Sequence, residues 1–460
     1  MKVLLINPPN KEILVSRDMA GGLGFDRNET MLLSPLDLAY IASTLLQKGH
    51  SVKIIDAAAE NFGLEQTYTK MKKYNPEVVI SLVSLPSINE DCRFLKNIDR
   101  YIKVKKIAKT SITYPPIIKE IINKSKINFC ICGECETIIN EILEGKEKKS
   151  TAYFDKNGQF KIEEKYTIKD LNKLPIPARN LLPNKQYHYP LLGKKTTTMQ
   201  TSRGCPFPCA YYCPYPLVQG RKWRARSPEN VIEEIKNVVL NHNINRIFFR
   251  DATFTLDKKR TIKICDLIIA NKLKIEWWCE SRINCLDAEL LKKMKKSGCK
   301  GINVGIETGD PKILEEQAKI GVNIKKIKNI VKNSRKIGIK LHFLIMVGLP
   351  SETKKSLYKT FKLLEKIKPW SMGITIVTPY PGTPLFEEAQ KRGWIKKTVD
   401  WSKFGGHFSI MKTDNLSVSE INKGRKMISR GYCLTKSCSL ESFLKLQILK
   451  FYFKIWSLLG

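Results

Sequence analysis

Short apolar runs alternate with stretches of helical apolar spacing over the first 145 residues. KVLLIN (2–7) is a continuous apolar run, and SVKIIDA and PEVVISLVS follow it, as expected of strands buried on both faces. Between the first two, SPLDLAYIASTLLQKGH (34–50) predicts a helix that Ser34 caps and Gly49 ends. INFCICGECETIINEILEG predicts a closing strand, turn and helix. This order predicts a Rossmann-like, doubly wound parallel sheet for residues 1–145, with ligands at the carboxyl ends of its strands.

The composition changes over residues 146–194, which we predict to be a linker. KEKKS is charged, DKNGQ is typical of a turn, and LPIPARNLLP contains three prolines. Because proline interrupts helical hydrogen bonding, this last stretch cannot form a long helix.

Strand and helix patterns resume in residues 195–395. Six apolar runs predict strands, and each is followed by a helix pattern; two of these helices have clear caps, at Ser227 and at Asp287. Six such repeats predict a (β/α)6 partial TIM barrel, in which active sites lie at the carboxyl ends of the strands. The fold class is therefore α/β, with the sheet domain preceding the partial barrel.

Residues 396–460 are predicted to form a helical C-terminal extension, because their apolar residues recur at helical spacing. Its last stretch, LESFLKLQILKFYFKIWSLLG, mixes aromatic and aliphatic residues with Lys445, Lys450 and Lys454. Such a basic amphipathic helix fits two positions equally well: the interface of a membrane, or a cap docked on the barrel.

The charge balance is strongly basic, with 80 Lys and Arg against 44 Asp and Glu, a formal +36. Phosphate-bearing partners, nucleic acid or an anionic membrane, are one interpretation. Because the lysines are spread along the chain, we favour lysines that solvate the outer faces of helices, and nucleic acid is not the expected partner. With no window of about 18 apolar residues, we expect a cytoplasmic protein without a spanning helix, at the membrane surface if the C-terminal helix binds there.

Three of the 13 cysteines lie within nine residues of the stretch TSRGCPFPCAYYCPYP: Cys205, Cys209 and Cys213. Cysteine thiolates bind iron–sulfur clusters or zinc. A structural zinc site normally takes four protein ligands, and the next cysteine is Cys265. Three thiolates on a cubane cluster leave one iron open for a substrate or cofactor. The sequence therefore favours a catalytic iron–sulfur cluster over zinc.

This loop, placed after a strand, resembles the cluster loop of radical S-adenosylmethionine (radical SAM) enzymes. The usual spacing there is C-x3-C-x2-C, and this chain has C-x3-C-x3-C. The resemblance implies that the three cysteines hold a [4Fe–4S] cluster whose fourth iron binds S-adenosylmethionine, and that Tyr212 lies near the adenine. Reductive cleavage of that nucleotide would give a 5′-deoxyadenosyl radical.

The resemblance continues along the barrel through FFRDATFT, WCESRINCLD, GINVGIETGDPKIL, FLIMVGLPSET and TPYPGTPLFEEA. It implies that polar or backbone groups at successive strand ends contact S-adenosylmethionine. The candidates are Asp251 at the second strand, Glu280 and Arg282 at the third, Glu307 and Thr308 at the fourth, and Gly348 to Pro350 at the fifth. No catalytic side chain is assigned from the sequence.

The N-terminal half resembles the cobalamin (B12)-binding domain of one radical SAM subgroup. VLLINPP, SPLDLAYIASTLLQKGHSVKIID, PEVVISLVS and the linker LNKLPIPARNLLP carry that resemblance. No D-x-H-x-x-G motif is present, so cobalamin would be held by backbone and packing; the domain either binds cobalamin, which we favour, or is a remnant. CICGEC (130–135) and His342 we interpret as structural, since free cysteine and strand histidine are often packed core residues.

The resemblance implies a radical SAM enzyme that methylates an unactivated carbon with the help of cobalamin. One alternative is rearrangement, cyclisation or oxidation without methyl transfer. Another is a non-enzymatic metal-binding module that engages nucleic acid or membrane. For the enzyme, we expect a small-molecule or lipid-like substrate, an electron donor such as flavodoxin or ferredoxin, and peripheral membrane contact through the C-terminal helix.

Overall fold

A computed structural model describes residues 1–9, 15–17, 25–26, 31–316, 322–396, 399–437 and 439–459. The chain divides into two compact units. The first unit contains Met1–Pro206, Pro214–Ala252 and Ala270–Glu276, and the second contains Phe207–Cys213, Thr253–Ile269 and Trp277–Gly460.

The first unit begins with a seven-stranded sheet of order β4-β1-β5-β6-β7-β8-β9. The strands of this unit up to residue 162 are β1 (Lys2–Asn7), β2 (Val15–Ser16), β3 (Phe25–Asp26), β4 (Ser51–Asp56), β5 (Val78–Leu82), β6 (Lys105–Thr110), β7 (Phe129–Cys132), β8 (Thr151–Phe154) and β9 (Phe160–Ile162), of which β2 and β3 form a separate two-stranded sheet. The five strands from β4 to β7 pair in parallel, with Leu5 opposite both Ile54 and Ile80. The predicted Rossmann-like sheet is confirmed.

Two features at the edges of this sheet differ from the sequence-based picture. The segment predicted as a linker begins with the hairpin β8–β9, which extends the sheet in antiparallel fashion, and the turn DKNGQ joins its strands. Ser34 does not cap the first helix: its hydroxyl lies 2.6 Å from Thr198 Oγ1, and the helix begins after Pro35. Tertiary hydrogen bonding has therefore replaced the local cap.

Helices flank the sheet in the order that the periodicity predicts. They are α1 (Leu36–Gln47), α2 (Leu64–Tyr74), α3 (Ile88–Asn97), α4 (Pro115–Ser125) and α5 (Ile139–Leu143). Strand residues such as Val3, Leu5 and Ile80 and helix residues such as Leu38 and Ile139 share one fully buried hydrophobic core. This core fixes the carboxyl ends of the strands in place.

The first unit also contains the first two strands of the predicted barrel. Its remaining elements are β10 (His188–Tyr189), β11 (Gly193–Lys194), β12 (Thr196–Met199), β13 (Ser202–Arg203), α6 (Tyr215–Gln219), β14 (Arg224–Ala225), α7 (Pro228–Lys236) and β15 (Arg246–Phe249). Strands β12 and β15 pair in parallel. Ser227 caps α7 as predicted, since its hydroxyl accepts from Asn230 N, and Pro228 occupies the first turn.

The second unit continues the alternation of strand and helix. Its elements are α8 (Lys258–Ala270), β16 (Glu276–Arg282), α9 (Ala288–Lys296), β17 (Cys299–Glu307), α10 (Pro311–Glu316), α11 (Ile324–Ile337), β18 (Lys340–Val347), α12 (Lys354–Ile367), β19 (Ser371–Ile376), α13 (Pro384–Lys391), α14 (Val418–Lys436) and α15 (Leu440–Leu458). Strands β16 to β19 pair in parallel in chain order. Counted along the chain, β12, β15 and these four strands give the predicted order of a (β/α)6 partial barrel.

The C-terminal extension is helical, as predicted. Helix α15 packs on α12 through the ring of Phe453, whose centroid lies 5.5 Å from the rings of both Tyr358 and Phe361. The Lys450 ammonium forms an ion pair with Glu365 of α12. Of the two predicted positions for this helix, the structure shows the docked one. None of the helices in the described ranges is long and apolar enough to cross a membrane.

Candidate active site

The cysteine loop starts at a tight approach of two backbone segments in the first unit. Gly204 has φ +88°, and a Cβ on it would lie 2.1 Å from the carbonyl oxygen of Lys222. Gly204 N donates to Gln219 Oε1 at 3.1 Å, and Cys205 N donates to Gly220 O at 3.1 Å. Because no side chain fits at residue 204, glycine is required for Cys205 to occupy its buried position.

Two arginines tie the start of this loop to the turn that follows β7. Arg203 pairs with Glu136 at 2.6 Å, and Arg224 pairs with Glu134 at 2.7 Å. All four side chains are buried. Burial opposes ionisation of Glu136, but the Arg203 guanidinium outweighs it and lowers the pKa of that carboxyl to about 2. These residues were not predicted from the sequence, although the two glutamates within CGECE were a signal for them.

Asp251, predicted to contact S-adenosylmethionine, is fully buried in the first unit after β15. Its carboxylate accepts from Thr201 N at 3.1 Å, from Thr201 Oγ1 at 2.9 Å and from Ser202 Oγ at 2.5 Å. The structure therefore shows Asp251 as the group that fixes the chain just before the cysteine loop.

Cys209 and Cys213 lie on one helical turn in the second unit. Pro208 to Tyr211 form a short 3-10 turn, and Cys213 N donates to Cys209 O at 3.3 Å. Residues four apart on a helical turn face the same side. The three-residue spacing between these cysteines is thus compatible with both thiols facing one ligand.

Arg282, at the end of β16, contacts the first of these two thiols. Its Nη1 lies 3.7 Å from Cys209 Sγ, and its guanidinium stacks over the Phe207 ring with 3.8 Å to the centroid. Within the described residues its buried Nη2 has no hydrogen-bond partner. A buried cation with an unused donor fits an anionic acceptor, such as thiolate sulfur or the carboxylate of a ligand.

Tyr212 is buried beside the same group. Burial raises its pKa well above the ordinary value, and nearby Glu307, Cys209 and Cys213 add to that increase. Its hydroxyl is buried and lacks a partner among the residues described. Glu307, the last residue of β17, has a backbone φ of +65°, which is an unusual conformation for a non-glycine residue. The structure therefore brings Tyr212, Arg282, Glu307 and the two cysteines into one neighbourhood.

Two other predicted contacts have polar partners already. Glu280 on β16 is half-buried and accepts weakly from Asn303 Nδ2 at 3.5 Å. Thr308 is fully buried, and its hydroxyl lies 3.1 Å from that of Thr360 on α12. Thr308 thus ties the turn after β17 to a neighbouring helix.

The turn after β18 is held by Glu352, a residue that was not predicted from the sequence. Gly348 has φ +91°, and Pro350 is half-buried two residues later. Gly348 N donates to Glu352 Oε2 at 2.6 Å. Glu352 is fully buried, and burial raises the pKa of its carboxyl to about 8. The only sign of this contact in the sequence was the position of Glu352 four residues after Gly348.

The candidates that we interpreted as structural are buried or half-buried. The thiols of Cys130 and Cys132 are 3.7 Å apart within β7. Burial lowers the pKa of His342 to about 4, and its Nδ1 lies 2.7 Å from Ser371 Oγ. These features agree with packing roles.

The carboxyl edge of the Rossmann-like sheet carries small residues and one polar network. Asp91 pairs with Arg17 at 2.5 Å and accepts from Ser87 Oγ at 2.7 Å. A cavity of about 30 Å³ is lined by Ser111 and Gly133, among others. Ser111 and Gly133 are themselves buried, and the lining also includes the charged side chains of Asp37, Lys109 and Arg203.

The ranges that the structure covers hold no ready-made cluster of three or more His, Cys, Asp or Glu side chains that could bind a metal ion. Ligation by Cys205, Cys209 and Cys213 thus stays a prediction. The donor chemistry nevertheless fits an iron–sulfur cluster: thiols in a proline-rich loop, with the Arg282 guanidinium beside one of them to balance negative charge.

A family comparison gives independent information. Residues 199–364 match the sequence profile described as "Radical SAM superfamily". The chain is also 32% identical over 434 residues to an uncharacterized methyltransferase of Pyrococcus horikoshii, across 92% of this chain and 90% of that protein.

Two solved structures share the fold. One is a radical S-adenosylmethionine methyltransferase, TsrM of Kitasatospora setae, with cobalamin and a [4Fe–4S] cluster bound: TM-score 0.69, 16% identity, 92% of this chain and 84% of that one. The other is a cobalamin-dependent S-adenosylmethionine radical enzyme, OxsB, with aqua-cobalamin and S-adenosylmethionine bound. Its TM-score is 0.74 at 15% sequence identity, and the match covers 99% of this chain and 71% of that one. Both likenesses of fold cover more than nine tenths of this chain.

Proposed function

The chain belongs to the radical SAM superfamily and is an enzyme, and we propose that it methylates an unactivated carbon of a small-molecule substrate with cobalamin as a second cofactor. The observation that carries the cluster part of this proposal is the neighbourhood of Cys209, where a buried guanidinium contacts a thiol and keeps a donor unused. A full-length relative named a methyltransferase supports the class of reaction.

For the cluster, we assign the three ligands to Cys205, Cys209 and Cys213. When bound, a [4Fe–4S] cluster supplies one electron that cleaves S-adenosylmethionine to methionine and a 5′-deoxyadenosyl radical. The protein holds the thiolates on a loop that Gly204 and Pro208 keep from forming extended secondary structure. Arg282 offsets part of their negative charge, because its guanidinium lies against the middle thiol.

For S-adenosylmethionine, the orphaned donors of Arg282 and Tyr212 support a contact with its anionic carboxylate or its adenine. Glu280 and Glu307 are assigned to its amino or hydroxyl groups, and the backbone of Gly348 to Pro350 to the adenine. Asp251 and Thr308 are assigned a positioning role, since their side chains are bonded to neighbouring residues.

For cobalamin, we assign the carboxyl edge of the Rossmann-like sheet. Because the sequence has no D-x-H-x-x-G motif, backbone and packing at this edge would hold the group without a histidine ligand. Bound there, cobalamin supplies a methyl group for transfer. The predicted domains are a cobalamin-binding-type domain in 1–145, a linker in 146–194, the barrel in 195–395 and the extension in 396–460; we propose them with one change, since the hairpin β8–β9 belongs to the sheet of the first domain. We also retain flavodoxin or ferredoxin as the electron donor.

The experiment is anaerobic reconstitution with iron, sulfide and either cobalamin or buffer. Expected results are a cluster absorbance, retained cobalamin, and 5′-deoxyadenosine after dithionite reduction. Methyl-labelled S-adenosylmethionine should transfer label to the retained cobalamin. Single replacements Cys205→Ser, Cys209→Ser and Cys213→Ser should abolish 5′-deoxyadenosine, whereas Cys433→Ser, at an exposed thiol, should not.

Two results would overturn parts of this proposal. Full iron content and 5′-deoxyadenosine formation in the three cysteine variants would remove the cluster assignment. Radical formation without any label on cobalamin would favour a radical SAM reaction that transfers no methyl group.

A further inference from the structure

Helix α15 has apolar residues on two opposite faces. The inner face contains Leu446, Phe453 and Trp456, which are buried in the second unit. At about 100° per residue, the positions opposite to Phe453 are again apolar. We call these the outer stripe: Leu440, Leu444, Ile448, Phe451, Ile455 and Leu458, spaced three or four residues apart.

The outer stripe is uncovered. Its six side chains are between 42% and 75% exposed, and they follow one another along the whole length of the helix. Isolated exposed apolar residues are common on protein surfaces, but a continuous row of large ones marks an interaction site. The inner face already provides the packing that holds α15 on α12, so the outer stripe is not needed for that purpose.

Positive charge surrounds the stripe. Lys445, which forms an exposed ion pair with Glu441, and Lys454 lie on opposite flanks of the stripe by helical position, and both are exposed. Helix α14 carries five basic residues and α15 carries three, whereas Glu420 and Glu441 are the acidic ones on the two helices. An apolar stripe between lysines is the pattern by which helices lie in the interface of an anionic membrane.

We propose that the outer stripe of α15 docks this enzyme on an anionic lipid membrane, with the helix parallel to the surface. A second copy of the chain is the less favourable occupant, because two molecules of formal charge +36 repel each other, whereas anionic lipid headgroups attract both the flanking lysines and the chain as a whole. The docked inner face keeps α15 from leaving the protein, so insertion is shallow. This proposal does not depend on the proposed reaction.

The test is vesicle co-sedimentation of the full-length protein, which needs no activity. The wild type should bind vesicles of equal parts phosphatidylcholine and phosphatidylglycerol, and bind phosphatidylcholine alone far more weakly. The triple variant Ile448→Ser, Phe451→Ser, Ile455→Ser should lose roughly tenfold or more in affinity, since each replacement removes a large apolar group from the lipid contact. The matched control Leu240→Ser, at another strongly exposed leucine, should bind like the wild type.

A charge-matched pair tests the flanks. Lys445→Glu with Lys454→Glu should weaken binding more than Lys103→Glu with Lys119→Glu, although both pairs change net charge equally and all four lysines are exposed. Unchanged vesicle binding of the triple serine variant would overturn the proposal. So would light scattering that shows a wild-type dimer, a monomeric triple variant and no vesicle binding, since a second copy would then cover the stripe.

Discussion

Replacement of Glu352 by glutamine should remove a pH-dependent part of the protein's stability. The carboxyl is fully buried after β18, where it accepts from Gly348 N, and its other oxygen, Oε1, has no partner in the described part of the chain. Burial raises its pKa from 4.5 to about 8. Between pH 4.5 and about pH 8, the folded protein therefore keeps a proton on this carboxyl that the unfolded chain has lost. Stability from this group is fully present below pH 4.5 and is lost as pH rises towards 8.

The size of the effect follows from that shift. Each pKa unit corresponds to about 1.4 kcal/mol, so a shift from 4.5 to about 8 gives at most about 5 kcal/mol between the two ends of the window. Local relaxation around an ionised carboxylate reduces this, and we expect about 2 to 4 kcal/mol. Glutamine keeps an oxygen for Gly348 N and has no proton to lose.

The assay is thermal unfolding of wild type and Glu352→Gln under anaerobic conditions, at pH values near 5 and near 8. The wild type should lose several degrees more than the variant between the two conditions. Glu233→Gln, at an exposed glutamate, controls for the substitution itself and should follow the wild type. An equal loss in wild type and Glu352→Gln would refute the reasoning, because Glu352 would then be ionised throughout or hydrated.

Three further predictions concern packing and the cluster loop. Gly204→Ala should prevent soluble expression or cluster loading, because its Cβ would overlap the Lys222 carbonyl, whereas Gly220→Ala, also at positive φ but with open space, should be milder; iron content measures both. Phe453→Ala should destabilise the docking of α15 by about 3 to 5 kcal/mol, seen as faster hydrogen exchange in that helix. Arg282→Gln should keep the thermal unfolding temperature within a few degrees but lower iron retention and 5′-deoxyadenosine formation; unchanged values would remove its role beside the thiol.

Much of the fold could be predicted because buried parallel strands carry a strong signal. KVLLIN is a continuous apolar run and PEVVISLVS is mostly apolar, and the strands β1 and β5 that they form are each paired in parallel on both sides. Helix starts with local caps were also predictable, as at Ser227 and Asp287. Ser34 failed as a cap because its hydroxyl bonds to Thr198, which is 164 residues away in sequence. Such a long-range contact leaves no mark in the local pattern.

Site residues that follow the end of a strand could be predicted from the sequence. Residues whose role depends on an ion pair with a distant residue could not. Arg282 was singled out by its place after β16, and the structure supplies its contact with Cys209. Glu134 and Glu136 were missed because their role depends on arginines that lie 67 to 90 residues further along the chain. Charge pairs of this kind need the folded structure to be recognised.

The longer spacing between Cys209 and Cys213 is reconciled by the geometry of one turn. In a helical turn, residues three apart and residues four apart both fall on one side, separated by about 60° and about 40° around the axis. The hydrogen bond from Cys213 N to Cys209 O at 3.3 Å shows that these cysteines, four residues apart, lie on one helical turn. An added residue therefore rotates the last thiol around the turn without moving it to the opposite side. The extra residue alters the angle at which Cys213 would approach a cluster and keeps its thiol on the same side of the turn as that of Cys209.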